Sequence, residues 1–323
     1  MNNLSIIKQL SLLMFKTMRF KAWLTDSVML AKVYFQSFSW GIYAVNIKSI
    51  NRFKNTVQQN ITGQVIFIGA GSGDPELLTI KALKAFEIAD TVFIDWLVNP
   101  EINAYIPNHV ERLFVGKKCG EHSMQQKDIC QLLVDYAASG KTVVRLKGGD
   151  PSIFARLAEE TEVLIQAQIP FQVIPGVTAA TGCAAYAGIP LTHRNCAQSV
   201  KFVTAHLKNS EKTYHWLQLA NDSGTLVFYM GLNRVQDIAQ SLVKHGMKAE
   251  MPIAVIDQGT SDNQKVFCGQ LNSIDANSDL TDFQGPALII IGEVINHRVK
   301  VDTHLVNRLH LSYNQSPPLT FNK

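Results

Sequence analysis

The chain has 323 residues, 46% hydrophobic and 17% charged, a composition that excludes an intrinsically disordered protein. Its net charge of +4 is uneven: residues 1–60 hold eight Lys/Arg and one acid, while the remaining 263 hold 22 basic and 25 acidic side chains. The slightly acidic body excludes a polybasic nucleic-acid binder, and five scattered cysteines without a C-x-x-C exclude a disulfide framework or a structural zinc motif.

Residues 1–62 read as a basic, poorly ordered extension in which Lys or polar residues break every apolar stretch. No apolar core long enough for a secretory signal appears, and no run approaches a membrane span. Transit peptides favour Arg where this segment favours Lys, so organelle targeting is not favoured and a cytoplasmic setting is expected. Gln64 to Gly69 reads as a buried strand, and Asp74-Pro75-Glu76 starts a helix expected to reach Ala89. Thr91 to Asp95 and Arg112 to Val115 are strands, Gln126 to Ala138 is an amphipathic helix, and Lys141 to Leu146 is the next strand. A helix over Ile153 to Gln168 and a strand over Phe171 to Ile174 follow. Strands alternating with helices predict a largely parallel sheet.

After Pro190 the pattern restarts. Val200 to Thr204, Thr225 to Met230, Ile253 to Ile256 and Ala287 to Gly292 read as strands, with an added antiparallel strand near Lys265 to Gly269. Trp216 to Ala220 and Leu232 to His245 read as helices. The expected organisation is an α/β protein with two α/β domains, 63–195 and 196–300, and a tail over 301–323.

Four segments stop an apolar run with glycine or proline: Gly69 to Pro75, Val143 to Pro151, Ile174 to Ala179 and Tyr186 to Arg194. In the second, Gly148-Gly149 permits a tight turn, Asp150 is placed to cap a helix, and Pro151 suits its first position. Such turns expose backbone donors at the carboxyl ends of strands, where open α/β sheets bind ligands. Gly69-Ala-Gly71 alone fits the start of a dinucleotide loop, but Asp74 occupies the third glycine position, a poor neighbour for a pyrophosphate, so a nicotinamide-dependent dehydrogenase is disfavoured.

The sequence resembles the tetrapyrrole methylase family from about Gly63 to about Arg298. The resemblance is carried by GAGSGDPELLT (69–79), DWLV (95–98), VGKK (115–118), VVRLKGGDPSIFAR (143–156), IPGVTAATGCAAYAGIPLTHR (174–194), YMG (229–231), QGT (258–260) and PALIIIGEV (286–294). It implies two α/β domains with the active site in the cleft between them, a homodimer, and S-adenosylmethionine as methyl donor. It implies C-methylation of uroporphyrinogen III at carbons 2 and 7, giving precorrin-2 for sirohaem- or cobalamin-type cofactors. The alternatives are a donor-binding homologue with lost or altered activity and a methylase of a later precorrin. An N-terminal dehydrogenase–chelatase domain is not expected, since the first 62 residues lack a dinucleotide loop.

By resemblance, Asp95 is the proton acceptor and Lys117 the proton donor. Ser72, Gly148, Gly149, Asp150, Ile153, Thr178, Ala179, Met230 and Gly259 bind the donor. Arg156 is a substrate contact, with Arg194, His193 and His206 as lesser candidates. The chemistry agrees: an activated methyl donor needs positioning and proton management, and a substrate with eight carboxylates needs cations such as the Arg fork. No metal is expected. Three positions depart from the family pattern: Ser72 replaces a Pro, Trp96 a small residue or Arg, and Leu157-Ala158 a Gly-Gly thought to face the cleft.

Overall fold

The structure, a computed structural model, describes residues 63–116, 124–206, 215–274 and 280–303. The extension 1–62, Lys117 and most of the expected tail lie outside the described residues.

The first sheet contains β1 (Gln64–Gly69), β2 (Thr91–Ile94), β3 (Glu111–Phe114), β4 (Thr142–Lys147) and β5 (Phe171–Ile174), ordered β3-β2-β4-β1-β5 with every pairing parallel. A parallel sheet needs cover on both faces, and alternation along the strands supplies two apolar faces. Ile66, Ile68, Val92, Ile94, Val144 and Leu146 pack with Ala82, Ala85 and Phe86 of helix α1 (Ile80–Glu87). Val65, Phe67, Phe93 and Val143 face the other way, onto Ile129, Leu133 and Ala137 of α2 (Gln126–Ala138) and Leu164 of α3 (Leu157–Gln166).

The second sheet contains β6 (Val200–Thr204), β7 (Thr225–Tyr229), β8 (Pro252–Asp257), β9 (Lys265–Gln270) and β10 (Ala287–Ile291), ordered β6-β7-β10-β8-β9. Only β6–β7 is parallel; the other pairings are antiparallel. Helix α4 (Ala179–Tyr186) follows β5 in the chain, yet its Ala180, Cys183 and Ala184 pack against Val227, Ala254, Ile256 and Ile290 of the second sheet. The opposite face is covered by α5 (Trp216–Ala220) and α6 (Val235–Lys244).

Two helices start later than the sequence pattern predicts. After Asp74 the chain makes a single 3-10 turn (Pro75–Leu77), Leu78 becomes extended, and the Thr79 hydroxyl, accepting from Ala82 N at 3.1 Å, caps α1. Asp150 caps no helix. Its Oδ1 accepts from Ser152 N at 2.8 Å, but Phe154 (φ 50°) and Arg156 (φ 56°) are left-handed, and α3 begins only at Leu157. Leu157 joins the core beneath the sheet instead of facing a cleft.

Candidate active site

The loops after β1, β2, β4 and β5 all leave the carboxyl ends of the first sheet's strands, and those after β1, β4 and β5 interlock. Gly71 and Gly149 exchange both hydrogen bonds, with N–H to O distances of 3.2 and 2.7 Å. Asp150 Oδ2 accepts from Gly176 N at 3.0 Å, tying the β4 loop to the β5 loop. A Cβ on Gly176 would lie 2.4 Å from Gly149 O, so only glycine permits this approach. Above Gly149 (φ 66°) there is room: a Cβ there would meet nothing nearer than Ala179 N at 3.9 Å.

The second sheet closes the ring. Tyr229, the last residue of β7, places its hydroxyl 2.7 Å from Thr178 Oγ1 and accepts from Ala180 N at 3.0 Å. The next residue, Met230, is left-handed (φ 58°) and 55% exposed. From the loop after β8, Thr260 Oγ1 accepts from Asp74 N at 3.0 Å and lies 3.3 Å from Ser72 Oγ. Gly259 is pressed onto α4, where a Cβ would come within 2.2 Å of Cys183 Sγ. Tyr186 of α4 donates to Asp74 Oδ2 at 2.6 Å; burial first, then Asp74, pushes its phenol up to about 12. Ser72, Gly148, Gly149, Asp150, Thr178, Ala179, Met230 and Gly259 are therefore brought to one place, built from backbone groups and hydroxyls. Ile153 joins through its N–H, which donates to Asp150 O at 3.1 Å. Four non-glycine residues around this ring are left-handed: Phe154, Met230, Gln258 and Thr260. Strain of this kind gathers at functional sites.

Asp95 lies one strand over, and a Cβ on Gly148 would touch Leu97 Cβ of its loop at 3.1 Å. Asp95 is 28% exposed at its side chain, and its Oδ1 accepts from Arg145 Nη2 at 2.6 Å. Arg145 is fully buried on β4 and also donates to Glu160 Oε1 from Nε at 3.3 Å and Nη2 at 3.2 Å. Glu160, buried on α3, accepts from Lys147 Nζ at 2.9 Å on both oxygens and from Gln126 Nε2 at 2.9 Å. Two cations and two carboxylates thus form a neutral network with one end open. Burial works against the Arg145 charge, but Asp95 and Glu160 outweigh it and raise its pKa. Burial and then the neighbouring guanidinium lower that of Lys147. Arg145, Lys147 and Glu160 were missed by sequence reasoning; the available signal was two cations at i, i+2 in an otherwise apolar strand.

Arg156 stands apart. Exposed beside the groove between α2 and α3, it forks onto Glu159 at 2.8 and 2.6 Å. Trp96 is 56% exposed, so it fills no core gap. Arg194 and His206 are exposed; His193 is half-buried and stacks on His297 with ring centroids 4.0 Å apart. The sequence showed no metal-ligand spacing, but folding brings His193, Cys196 and His297 together, with their ligand atoms within 4.8 Å of one another.

The model of the Tetrapyrrole (Corrin/Porphyrin) Methylases matches residues 64–275, which includes every element of this ring. The chain belongs to the tetrapyrrole methylase family. It is 51% identical over 240 residues to a siroheme synthase of Pseudomonas fluorescens, covering 74% of this chain and 52% of that protein. It is 44% identical over 277 residues to siroheme synthase 2 of Cronobacter sakazakii, covering 81% of this chain and 60% of that one. The chain therefore spans little more than half the length of these curated relatives. Among solved structures it resembles a uroporphyrin-III C-methyl transferase of Thermus thermophilus complexed with S-adenyl homocysteine. That match has 34% identity and a TM-score of 0.62, over 72% of this chain and 99% of that one.

Proposed function

We propose that this tetrapyrrole methylase transfers methyl groups from S-adenosylmethionine to carbons 2 and 7 of uroporphyrinogen III, giving precorrin-2. The observation that carries the reading is the ring of loops after β1, β4, β5, β7 and β8 beside an anchored carboxylate. S-adenosylmethionine carries the methyl on a sulfonium, so that a neutral thioether leaves and no further activation is needed. The ring suits such a donor: the open space above Gly149 admits close contact with backbone, and Met230 offers soft apolar surface. Gly148, Asp150, Ile153, Thr178, Ala179, Ser72 and Gly259 shape the remaining wall.

On the substrate side, a pyrrole carbon attacks more readily as its N–H proton is released. Asp95 accepts that proton: Arg145 holds one oxygen in place, and the other has no hydrogen-bond partner among the described residues. Lys117 returns a proton. Arg156 receives a substrate carboxylate in exchange for Glu159, a trade of like partners at an exposed site. This reading takes 63–195 and 196–300 as the two domains and the active assembly as a cytoplasmic homodimer. No helix among the described residues is long and apolar enough to cross a membrane.

The test is incubation of the full chain with S-adenosylmethionine and anaerobically prepared uroporphyrinogen III, with mass analysis of the product. A doubly methylated product is expected, and Asp95→Asn should slow its formation by about 10²–10⁴-fold while leaving S-adenosylhomocysteine affinity unchanged. Donor binding without a methylated product would sink the reading. A product formed only from a later precorrin would redirect it to that substrate.

A further inference from the structure

The cluster of His193, Cys196 and His297 lies outside the ring and is not used by the mechanism. The backbone holds its members in place from both sides. His193 and Ala197 exchange two backbone hydrogen bonds of 2.9 Å, closing a tight turn that presents His193 and Cys196 together. His297 ends the 3-10 turn Glu293–His297, which is anchored by the buried Val294 and Ile295. Just beyond it, Arg298 Nε donates to Ala187 O at 3.0 Å and Val299 N donates to Gly188 O at 2.9 Å. The turn after β10 is therefore fastened to the same connection that carries His193 and Cys196.

We propose that His193, Cys196 and His297 form a site for a borderline-soft divalent cation, with Zn²⁺ as the fitting ion. Two imidazoles and one thiolate are the donor set such an ion takes, with a fourth position left for water. Bonds of about 2.0–2.3 Å in a tetrahedron place neighbouring ligand atoms roughly 3.3–3.6 Å apart. Cys196 Sγ and His193 Nδ1 are already 3.6 Å apart. His297, the exposed member, supplies the third ligand when its ring turns out of the stack on His193. Among the described residues this is the one group of three His, Cys, Asp or Glu ligands so arranged. Binding displaces the Cys196 thiol proton, so affinity rises with pH. The bound ion cross-links the connection between α4 and β6 to the turn after β10. Zn²⁺ should therefore raise the unfolding temperature in a concentration-dependent way.

The experiment is titration of the full chain with Zn²⁺ against a chromophoric chelator, repeated for Cys196→Ala and His297→Ala, with far-UV circular dichroism confirming that each variant folds. Both positions have solvent access, so folding should survive. One equivalent of Zn²⁺ is expected. Each variant should weaken binding by at least the ~10–100-fold that loss of a mere supporting partner causes. Co²⁺ should give a thiolate charge-transfer band that Cys196→Ala abolishes. Unchanged affinity in both variants overturns the proposal. So does the absence of binding in the parent protein, or binding that depends on Cys119 instead of Cys196.

Discussion

The central strands of the two sheets occupy the same topological place and are built in opposite ways. β10 (ALIII) is apolar on both faces, with Ile289 and Ile291 in one core and Leu288 and Ile290 in the other. β4 (TVVRLK) is apolar on one face, but on the other it carries Arg145 and Lys147 against the buried Glu160. Buried ion pairs seldom stabilise a fold as well as apolar packing of the same volume. The contrast therefore teaches that β4 is not optimised for stability alone. Its charged face ends at Asp95, and the network fixes where that carboxylate points.

The largest expected effect comes from opening the network. Glu160→Ala leaves two cations buried without their shared partner and should lower unfolding stability by about 3–5 kcal/mol in urea titrations. A loss below ~1 kcal/mol would mean that the β4 face is wetter than it looks. Replacing the network's three fully buried members together sharpens the comparison further. Arg145→Met, Lys147→Met and Glu160→Leu together should leave the protein as stable as before, or more so by up to about 4 kcal/mol. Methyl transfer should fall in that variant, because Asp95 loses its anchor. If activity and stability move together, the network is structural and the contrast with β10 has no functional content.

A smaller effect is expected at the ring. Gly259→Ala drives a methyl group to within 2.2 Å of Cys183 Sγ and should cost about 1–3 kcal/mol. It should also weaken S-adenosylhomocysteine binding, measurable by calorimetry. The smallest effect is a pH dependence at Asp222. Burial would raise the Asp222 carboxyl, but the Lys201 ammonium paired with it and the Gly224 N–H outweigh burial and hold it low. Its pKa in the folded chain is below the unfolded value, so its contribution is present above about pH 4 and lost as pH falls through the folded value. The melting temperatures of Asp222→Asn and the parent protein should converge below about pH 4; a gap that persists there would assign the difference to packing.

Much of the fold was legible because its strands read as short, mostly apolar runs bounded by turn residues, and β1, β8 and β10 are buried along nearly their whole length. β1, β5 and β6 fall where the pattern puts them, and β9 is the expected antiparallel addition. The segment after Gly148-Gly149 was misread because Asp150-Pro151 has the form of a helix start. Left-handed residues postpone that helix, and nothing in the identities of Phe154 or Arg156 signals φ above zero. The residues of the ring were legible through family resemblance, because glycines and hydroxyls mark its loops. The charged network was less so. Glu159 and Glu160 are adjacent and alike in sequence, yet Glu159 faces solvent with Arg156 while Glu160 is buried under Arg145. The cysteine–histidine cluster was hidden by distance along the chain, since His297 comes from beyond β10.

The left-handed residues around the ring reverse a familiar map of mutational tolerance. Loops usually absorb substitutions that cores reject. Here Met230, Gln258 and Thr260 hold backbone shapes that disfavour most side chains by about 1–3 kcal/mol each, and Thr260 is β-branched as well. A random library would find conservative aliphatic exchanges in β10 easier to accept than exchanges at these bends. Glycine relaxes the bend at Met230, so a screen for heat resistance alone would drift toward glycine there, whereas at Thr260 it would also remove the hydroxyl that accepts from Asp74 N.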